Sequence, residues 1–267
     1  MKDFLSIKEF SKLSGIETST LRYWDEIGLF SPAMRNPENN YRYYTPPQIV
    51  AVNFITVLGN LNVPLKMIDE IERNRTPEGL VDLSEQQESI LQMRMRKLQE
   101  SFSIICTRRQ LIKAGLRADT SKIAIEELPE RMFILGPPSG RIAEGDGFYQ
   151  PFVKFRDRAQ KLRINLDYPI GGYRESLEVF AAGPAESDRF FSLDPTGNVT
   201  WEAGEYLVGY TRGYYGEYGD LPQQMLDHAR EQGLTCSGPA YILYLHDEIC
   251  LKDPSQYLAQ ISVAVNR

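Results

Sequence analysis

Arginine and tyrosine side chains are concentrated in residues 20–44, which read "TLRYWDEIGLFSPAMRNPENNYRYY". Arg22, Arg35 and Arg42 lie there among six aromatic rings and several turn-forming proline and asparagine residues. A guanidinium group can form paired hydrogen bonds with phosphates and guanine edges, and a tyrosine hydroxyl can donate to phosphate. These residue types therefore point to nucleic-acid binding.

The surrounding pattern predicts the elements that would position these side chains. Ser6–Glu9 fits a capping box that begins a short helix, and Gly15 is a natural C-terminal residue for it. A second helix is predicted over residues 18–28. Turn formers in residues 31–40, followed by the strand-favouring rings of residues 41–44, predict a hairpin. The segment is thus predicted to be a winged helix-turn-helix.

In such a domain the second helix enters the major groove of DNA. Leu21 and Ile27 are predicted to face the domain interior. The residues predicted to contact DNA are Ser19, Thr20, Arg22, Tyr23, Arg35, Arg42 and Tyr43. Residues 1–75 carry 9 Lys and Arg against 9 Asp and Glu. Phosphate binding must therefore draw also on helix N-termini, hydroxyls and the doubled contacts of a dimer.

A long helix is predicted after two further short ones. The third helix should begin at Thr45–Gln48 and end at Gly59, and the fourth follows Pro64. The next segment, about residues 80–116, contains no proline, and apolar residues recur along it at Leu91, Met95, Leu98, Phe102, Ile105 and Ile112. This spacing predicts a dimerising coiled coil about 50 Å long. The alternative is a long helix that packs on its own domain.

After Gly115 the pattern changes to short strands with two helices. Strands are predicted in "RMFILG", "SLEVFAAG", "NVTWEAGEYLVGYTRG", "AYILYLHDEI" and "YLAQISVAV", and helices over residues 150–163 and 221–233. The order β-α-β-β appears twice, which suggests a duplicated α+β domain with an antiparallel sheet. The chain is thus predicted to be multi-domain, with domains at residues 1–75, 76–119 and 120–267.

Composition limits the possible classes of protein. The chain is 42% hydrophobic and 25% charged, which is typical of a soluble globular protein, and it contains no apolar run of about 18 residues. A cytoplasmic protein without membrane contact is expected. The three cysteines are widely spaced, so no metal site or cofactor is predicted. Residues 120–267 carry 14 Lys and Arg against 21 Asp and Glu, which disfavours DNA binding there.

The segments "SIKEFSKLSGIETSTLRYWDEIGLFSP" and "NNYRYY" resemble the MerR family of transcription regulators over residues 5–75. Trp24 departs from the family's usual tyrosine. The resemblance implies a homodimer joined through an antiparallel coiled coil. It also implies binding to double-stranded promoter DNA with an over-long spacer, which is twisted and bent so that RNA polymerase can engage it.

The C-terminal part resembles the gyrase-inhibitor-like effector-binding domain of multidrug-responsive activators in that family. The resemblance rests on element order and on the strands "WEAGEYLVGY", "YILYLHDE" and "DPSQYLAQISVAV". It implies an aromatic, drug-like effector between stacked rings. The rings expected to bind it are Phe148, Tyr149, Tyr168, Trp201, Tyr206, Tyr241 and Tyr257. "YTRGYYGEYG", residues 210–219, is a candidate lid.

One departure bears on ligand charge. Ile242 occupies the position where relatives carry a glutamate that meets a ligand's positive charge. Either the ligands are neutral, or Glu178, Asp247 or the ring faces alone meet the charge. The expected function is a ligand-responsive activator without enzymatic activity. Two alternatives stay open: an effector-domain hydrolase with autoregulatory DNA binding, and a nucleoid-associated dimer that bends DNA without an effector.

Overall fold

The computed structural model describes residues 4–73, 76–139, 149–162, 164–185 and 187–266. The chain divides into two compact units, Met1–Lys97 and Leu98–Arg267. This division falls within one long helix. The predicted domain boundaries after residues 75 and 119 stay predictions.

The first unit is mainly helical. Its elements are β1 (Leu5–Ser6), α1 (Ile7–Ser14), α2 (Thr18–Glu26), β2 (Met34–Arg35), β3 (Arg42–Tyr44), α3 (Gln48–Asn60), α4 (Leu65–Arg73) and the first part of α5 (Pro77–Gly115). The three strands form a small antiparallel sheet in the order β1-β3-β2. The predicted helix-turn-helix, the β2-β3 wing and the long helix are all present.

Local capping explains where the helices begin and end. The capping box is confirmed, because the Ser6 backbone N–H donates to the Glu9 carboxylate at 2.8 Å and the Glu9 N–H donates to Ser6 Oγ at 3.3 Å. Gly15 ends α1 in the left-handed conformation, with φ of 74°. The prediction that α3 ends at Gly59 was wrong. The left-handed turn comes at Asn62, with φ of 61°, a conformation that asparagine tolerates better than most residues.

Three stacked rings lie at the centre of the first unit. Phe10 and Tyr44 have ring centroids 4.5 Å apart, and Phe30 lies 5.8 Å from Tyr44. Leu21 is fully buried against this cluster and fixes the inner face of α2. Ile27 was expected to face inward too, but it is 44% exposed because α2 ends at Glu26 and Ile27 serves as its C-cap.

The second unit, which also includes the end of α5, contains an eight-stranded antiparallel sheet. Its elements are β4 (Ile123–Leu128), β5 (Arg131–Pro138), α6 (Tyr149–Lys161), β6 (Ile170–Arg174), α7 (Leu177–Ala181), β7 (Arg189–Ser192), β8 (Val199–Trp201), β9 (Gly204–Arg212), α8 (Leu221–Glu231), β10 (Thr235–His246), a 3-10 turn (Pro254–Gln256) and β11 (Leu258–Asn266). The strand order is β4-β9-β11-β10-β6-β7-β5-β8.

The predicted duplication is visible in the sheet topology. The units β5-α6-β6-β7 and β9-α8-β10-β11 occupy neighbouring halves, with spatial orders β6-β7-β5 and β9-β11-β10. The two orders mirror each other across the antiparallel β10–β6 pair. The centre of the sheet is therefore the junction between two equivalent half-domains.

One predicted strand is a helix. "SLEVFAAG" forms α7 because the Ser176 hydroxyl caps it, accepting from the Val179 N–H at 3.2 Å. Leu177 and Phe180, one turn apart, are both buried on its inner face. Strands β4, β6 and β7 were not predicted.

The two faces of the sheet bury different side chains. On one face, Ile242 and Ile261 pack with the residues of α7 and α8. The other face holds an aromatic cluster around Phe133, Phe191 and Trp201, to which α5 adds Leu111. Alternation along β10 sends Tyr241 and Leu243 to the aromatic face and Ile242 to the helical face.

Candidate functional sites

The outer face of α2 presents the predicted DNA-contacting residues. Ser19, Arg22 and Tyr23 are exposed, and Tyr23 keeps 50% of its surface accessible. Thr20 is half-buried on the same helix. Because Leu21 anchors the opposite side of α2, these polar side chains point away from the core. The arrangement is suited to a helix that enters a DNA groove.

The wing is fastened to α2 by a buried carboxylate. Asp25 Oδ2 lies 2.5 Å from Arg35 Nη2 and 2.5 Å from Arg42 Nε, and the Asp25 side chain is only 2% exposed. Arg42 is 20% exposed and Arg35 is 41% exposed. Both arginines therefore have a structural partner that the sequence prediction of phosphate contacts did not include. A signal was present, because Asp25 follows Leu21 by four residues on the inward face of α2.

Tyrosine packing completes the base of the wing. Tyr43, the remaining predicted contact, is half-buried and pairs with Met34 in the β2-β3 ladder. Burial raises the pKa of Tyr44, and the neighbouring Asp25 carboxylate raises it further. Tyr44 therefore stays protonated in the core. Trp24 packs against the same core, half-buried.

The second unit contains a cavity of about 270 Å³ beside the central β6–β10 junction. This volume lies just below the range of about 300–1,000 Å³ that is usual for ligand sites. Its wall combines aromatic, charged and glycine residues: Arg108, Phe152, Leu166, Tyr168, Pro169, Ile170, Gly171, Gly172, Arg174, Phe190, Tyr215, Tyr218, Tyr244, Asp247, Glu248 and Ile249.

Two tyrosine hydroxyls of the wall, those of Tyr215 and Tyr244, are engaged within the protein. Tyr244 Oη accepts from the Gly216 N–H at 2.9 Å and donates to the Tyr214 carbonyl at 3.2 Å. Tyr215 Oη donates to the Glu248 carboxylate. Burial raises the pKa of Tyr215 and of Tyr244, so both stay neutral. The rings of Tyr215 and Tyr244 meet nearly edge to face at 4.5 Å. A ligand would therefore meet mainly ring surface.

Two arginine–carboxylate pairs border the cavity. Arg108 Nη1 lies 3.8 Å from Asp247 Oδ2, and Arg174 Nε lies 3.3 Å from Asp188 Oδ1. Burial raises the pKa of Asp247, and it also raises the pKa of Asp188 despite Arg174. Two poorly solvated carboxyl groups thus lie near the aromatic rings, Asp247 on the cavity wall and Asp188 beside Arg174, and a carboxylate next to aromatic rings suits organic cations.

The structure brings only part of the predicted aromatic set to this cavity. Tyr168 lines it. Tyr257 is 5% exposed and packs behind Tyr215 at a centroid distance of 5.4 Å. Tyr149 begins α6, and Phe148 lies outside the described residues.

Three predicted rings lie in the buried sheet core instead. Trp201 and Tyr241 stack at 4.0 Å, and Tyr206 packs 6.1 Å from Trp201 with its hydroxyl donating to the Glu202 carbonyl at 2.8 Å. They are 1%, 7% and 4% exposed, respectively. Strand alternation sends them to the aromatic face of the sheet, away from the lining of the cavity. They do not line the described cavity, and their role as ligand contacts stays a prediction.

The prediction missed several rings that do line the cavity. Tyr215 and Tyr218 belong to the proposed lid segment, where the density of tyrosines was the available signal. Tyr244 follows Ile242 by two residues and points to the same side of β10. Ile242 itself is 1% exposed in the core beneath α7 and α8. Of the two candidate acids, Asp247 lies on the cavity wall, whereas Glu178 is exposed on α7.

Two further features, a metal-binding cluster and a membrane-spanning helix, are absent from the residues that the structure describes. These residues contain no cluster of three or more His, Cys, Asp or Glu side chains placed to hold a metal ion. None of the helices in these ranges is both long and apolar enough to cross a bilayer.

Comparison with known proteins assigns the first unit to a family. Residues 5–75 match the model of the MerR HTH family of regulatory proteins. The chain is 26% identical to the multidrug-efflux transporter 2 regulator of Bacillus subtilis, over 99% of this chain and 97% of that protein. It is 38% identical to the transcriptional regulator BrlR of Pseudomonas aeruginosa, over 37% of this chain and 35% of that protein.

Among solved structures, a cryo-EM structure of an EcmrR-DNA complex aligns with 98% of this chain and 100% of its own, at 18% identity and a TM-score of 0.39. The assignment rests instead on the match of residues 5–75, together with the capped α1, the exposed face of α2 and the paired wing. The chain is therefore a DNA-binding regulatory protein whose N-terminal helix-turn-helix domain belongs to the MerR family.

Proposed function

We propose that this protein is a ligand-responsive transcription activator. An aromatic molecule binds in the cavity of the second unit and selects a dimer state that twists and bends promoter DNA. RNA polymerase then engages the two realigned promoter elements. Acting on promoter DNA requires a cytoplasmic location.

The observation that carries this proposal is the aromatic cavity in the same chain as a MerR-family domain. Six rings contribute to its wall: Phe152, Tyr168, Phe190, Tyr215, Tyr218 and Tyr244. Because the hydroxyls of Tyr215 and Tyr244 are engaged internally, the wall favours a ligand with a large apolar surface. A compact aromatic molecule matches this chemistry.

Homodimerisation is supported by the apolar seam of α5. Leu98 and Phe102 are each 70% exposed, and Ile105 is 64% exposed. Leu91 and Met95 extend the seven-residue spacing and are 36% and 59% exposed. Large apolar side chains in this repeat usually pack against another helix. We propose that the partner is α5 of a second copy.

The hydrolase alternative receives less support from the cavity. Its wall, as far as the described residues define it, includes no serine, cysteine or histidine, so a hydrolytic step there would have to use the carboxylates of Asp247 or Glu248. Turnover of a panel of reactive esters by the purified protein would favour this alternative over the proposed function.

Calorimetric titration of the full chain with cationic and neutral aromatic molecules tests the proposed ligand site. We expect saturable binding that the Tyr215→Ala variant weakens by about tenfold or more, because one wall ring is lost. Tyr41→Ala removes a 60% exposed ring of the first unit and should leave affinity unchanged. Absence of binding across the panel, or equal affinity of Tyr215→Ala and the unaltered protein, would contradict the proposal.

A further inference from the structure

The long helix α5 reaches the wall of the cavity through one guanidinium group. Arg108 lines the cavity, and its Nη2 donates to the Asp167 carbonyl at 3.1 Å. Its Nη1 lies 3.8 Å from Asp247 Oδ2. Since 3.8 Å exceeds the length of a hydrogen bond, the charge of Asp247 is only loosely compensated by Arg108.

The Asp247 carboxylate is nevertheless held in a fixed place. Its Oδ1 accepts from the Ile249 N–H at 3.0 Å, and its backbone carbonyl accepts from the Cys250 and Leu251 N–H groups at 2.9 Å. The turn that follows β10 therefore orients the side chain without help from Arg108. Oδ2 is left facing both the guanidinium and the cavity, which is the placement expected of a preorganised acceptor.

The charges around the cavity favour a cation. Arg174 is matched by the buried Asp188, and Glu248 accepts from the Tyr215 hydroxyl. Two arginines and two carboxylates line the cavity, and the buried Asp188 beside Arg174 adds a third carboxylate, so this group of side chains carries one more negative than positive charge. A cationic ligand would offset this excess, and the aromatic wall would add cation–π attraction.

We infer that Asp247 accepts the positive charge of an aromatic cation in the cavity, and that this cation replaces the Arg108 guanidinium. The inference rests on the proposed ligand site and names its charge-recognition residue.

The exchange would alter how α5 is held. Next to Asp247, His246 Nε2 lies 3.0 Å from the Ile112 carbonyl of α5. Arg108, Ile112 and Gly115 are spaced by four and three residues, so they lie on one face of the helix. His246, the last residue of β10, and Asp247, which follows it, thus both contact that face of α5. Ligand binding would remove the Arg108 contact and leave the His246 contact, which links occupancy to the helix that carries the dimer seam.

Calorimetry with a charged and a neutral probe tests this exchange in the full-length protein. Benzyltrimethylammonium is the cation, and N,N-dimethylbenzamide is a neutral aromatic of similar size. We expect Asp247→Asn to weaken binding of the cation by about tenfold or more and to leave binding of the neutral probe within about twofold. Arg108→Gln should strengthen binding of the cation several-fold, because it removes the charge that competes for Asp247. A partly exposed ion pair contributes about 1 kcal/mol or less, which corresponds to a change in affinity of that size.

Matched controls separate local from global charge effects. Arg109→Gln removes the same charge from the exposed neighbour of Arg108, and Glu130→Gln removes one exposed negative charge before β5. Both should leave the affinity for the cation unchanged.

Each outcome of the titrations decides one claim. Equal binding of both probes, with no effect of Asp247→Asn, would overturn this inference but not the proposed ligand site. Equal weakening of both probes by Asp247→Asn would mean that the residue only shapes the cavity, and weaker cation binding by Arg108→Gln would refute the exchange. If the unaltered protein binds no aromatic molecule, neither this inference nor the proposed site stands.

Discussion

At the scale of single residues, Asp25 determines what the wing arginines can do. An arginine that only touches DNA can be removed without cost to the fold. Arg42 instead shares a buried carboxylate with Arg35, so part of its side chain belongs to the structure of the domain. Arg22, exposed on the outer face of α2, is the better test of DNA contact.

We therefore expect Arg42→Ala to lower the free energy of unfolding by about 2 kcal/mol, since Asp25 keeps only Arg35 as its ion-pair partner. Arg42, predicted from the sequence as a DNA contact, thus also has a structural role through Asp25. Arg22→Ala should weaken promoter binding and leave stability within about 0.5 kcal/mol. Urea unfolding followed by circular dichroism, beside a DNA-binding titration, measures both quantities. Equal stability of the two variants would contradict the structural role of Arg42.

Tyr206 provides a second test at the same scale. Its ring is 4% exposed in the aromatic core, so Tyr206→Ala should lower the free energy of unfolding by roughly 3–4 kcal/mol. Leu162→Ala, at a side chain that is 62% exposed, should change it by less than about 0.5 kcal/mol. Thermal unfolding monitored by calorimetry is the measurement. A fully stable Tyr206→Ala protein with impaired ligand binding would contradict the structural role and favour the prediction from sequence that Tyr206 contacts the ligand.

At the scale of elements, the sequence predicted what local chemistry controls. The capping box at Ser6, the helix stop at Gly15 and the proline-free length of α5 depend on neighbours in the chain. Strands β4, β6 and β7 were missed because short strands depend on partners far away in sequence, as when β6 pairs with β10. The cavity was only partly predicted for the same reason, since Arg108 and Asp247 are 139 residues apart and meet only in the folded domain.

The junction between the end of α5 and β10 depends on the absence of a side chain at Gly115. A Cβ atom built there would lie 2.6 Å from His246 Nε2. Gly115→Ala should therefore displace the imidazole from the Ile112 carbonyl and lower the free energy of unfolding by about 1–3 kcal/mol.

Gly59→Ala is the matched control in a helix, because its Cβ would meet nothing within 4 Å. It should raise stability by about 0.5–1 kcal/mol through its better helix propensity. Urea unfolding of the two variants gives both values. A Gly115→Ala protein that gained stability like Gly59→Ala would show that the close packing of His246 is not maintained in solution.

The apolar seam of α5 is the proposed interface of the homodimer. Phe102→Asp would place a charge among apolar side chains of a coiled coil, so it should shift the proposed dimer toward monomers. Arg96→Asp, off the seam on the same helix, should not. Sedimentation equilibrium measures the masses. A monomeric unaltered protein, or a Phe102→Asp variant that remained dimeric, would argue against the seam.

At the scale of the whole molecule, the candidate DNA-contacting face and the proposed ligand cavity lie in separate compact units of one chain. The outer face of α2 offers hydrogen-bonding groups, and the second unit offers a cavity with an aromatic wall. An effector can influence transcription only if it binds one DNA-bound state of the dimer more tightly than the other. The acidic balance of residues 120–267 disfavours binding of that part of the chain to DNA.

Footprinting of the protein on the DNA upstream of its own coding region tests this account most directly. The titration is done with and without benzyltrimethylammonium and N,N-dimethylbenzamide. We expect a two-fold symmetric footprint within a long promoter spacer and ligand-dependent distortion at its centre, with the cation the stronger effector. A footprint that is unaltered by ligands that bind the cavity would contradict the coupling. No protection at any salt concentration would contradict promoter binding itself.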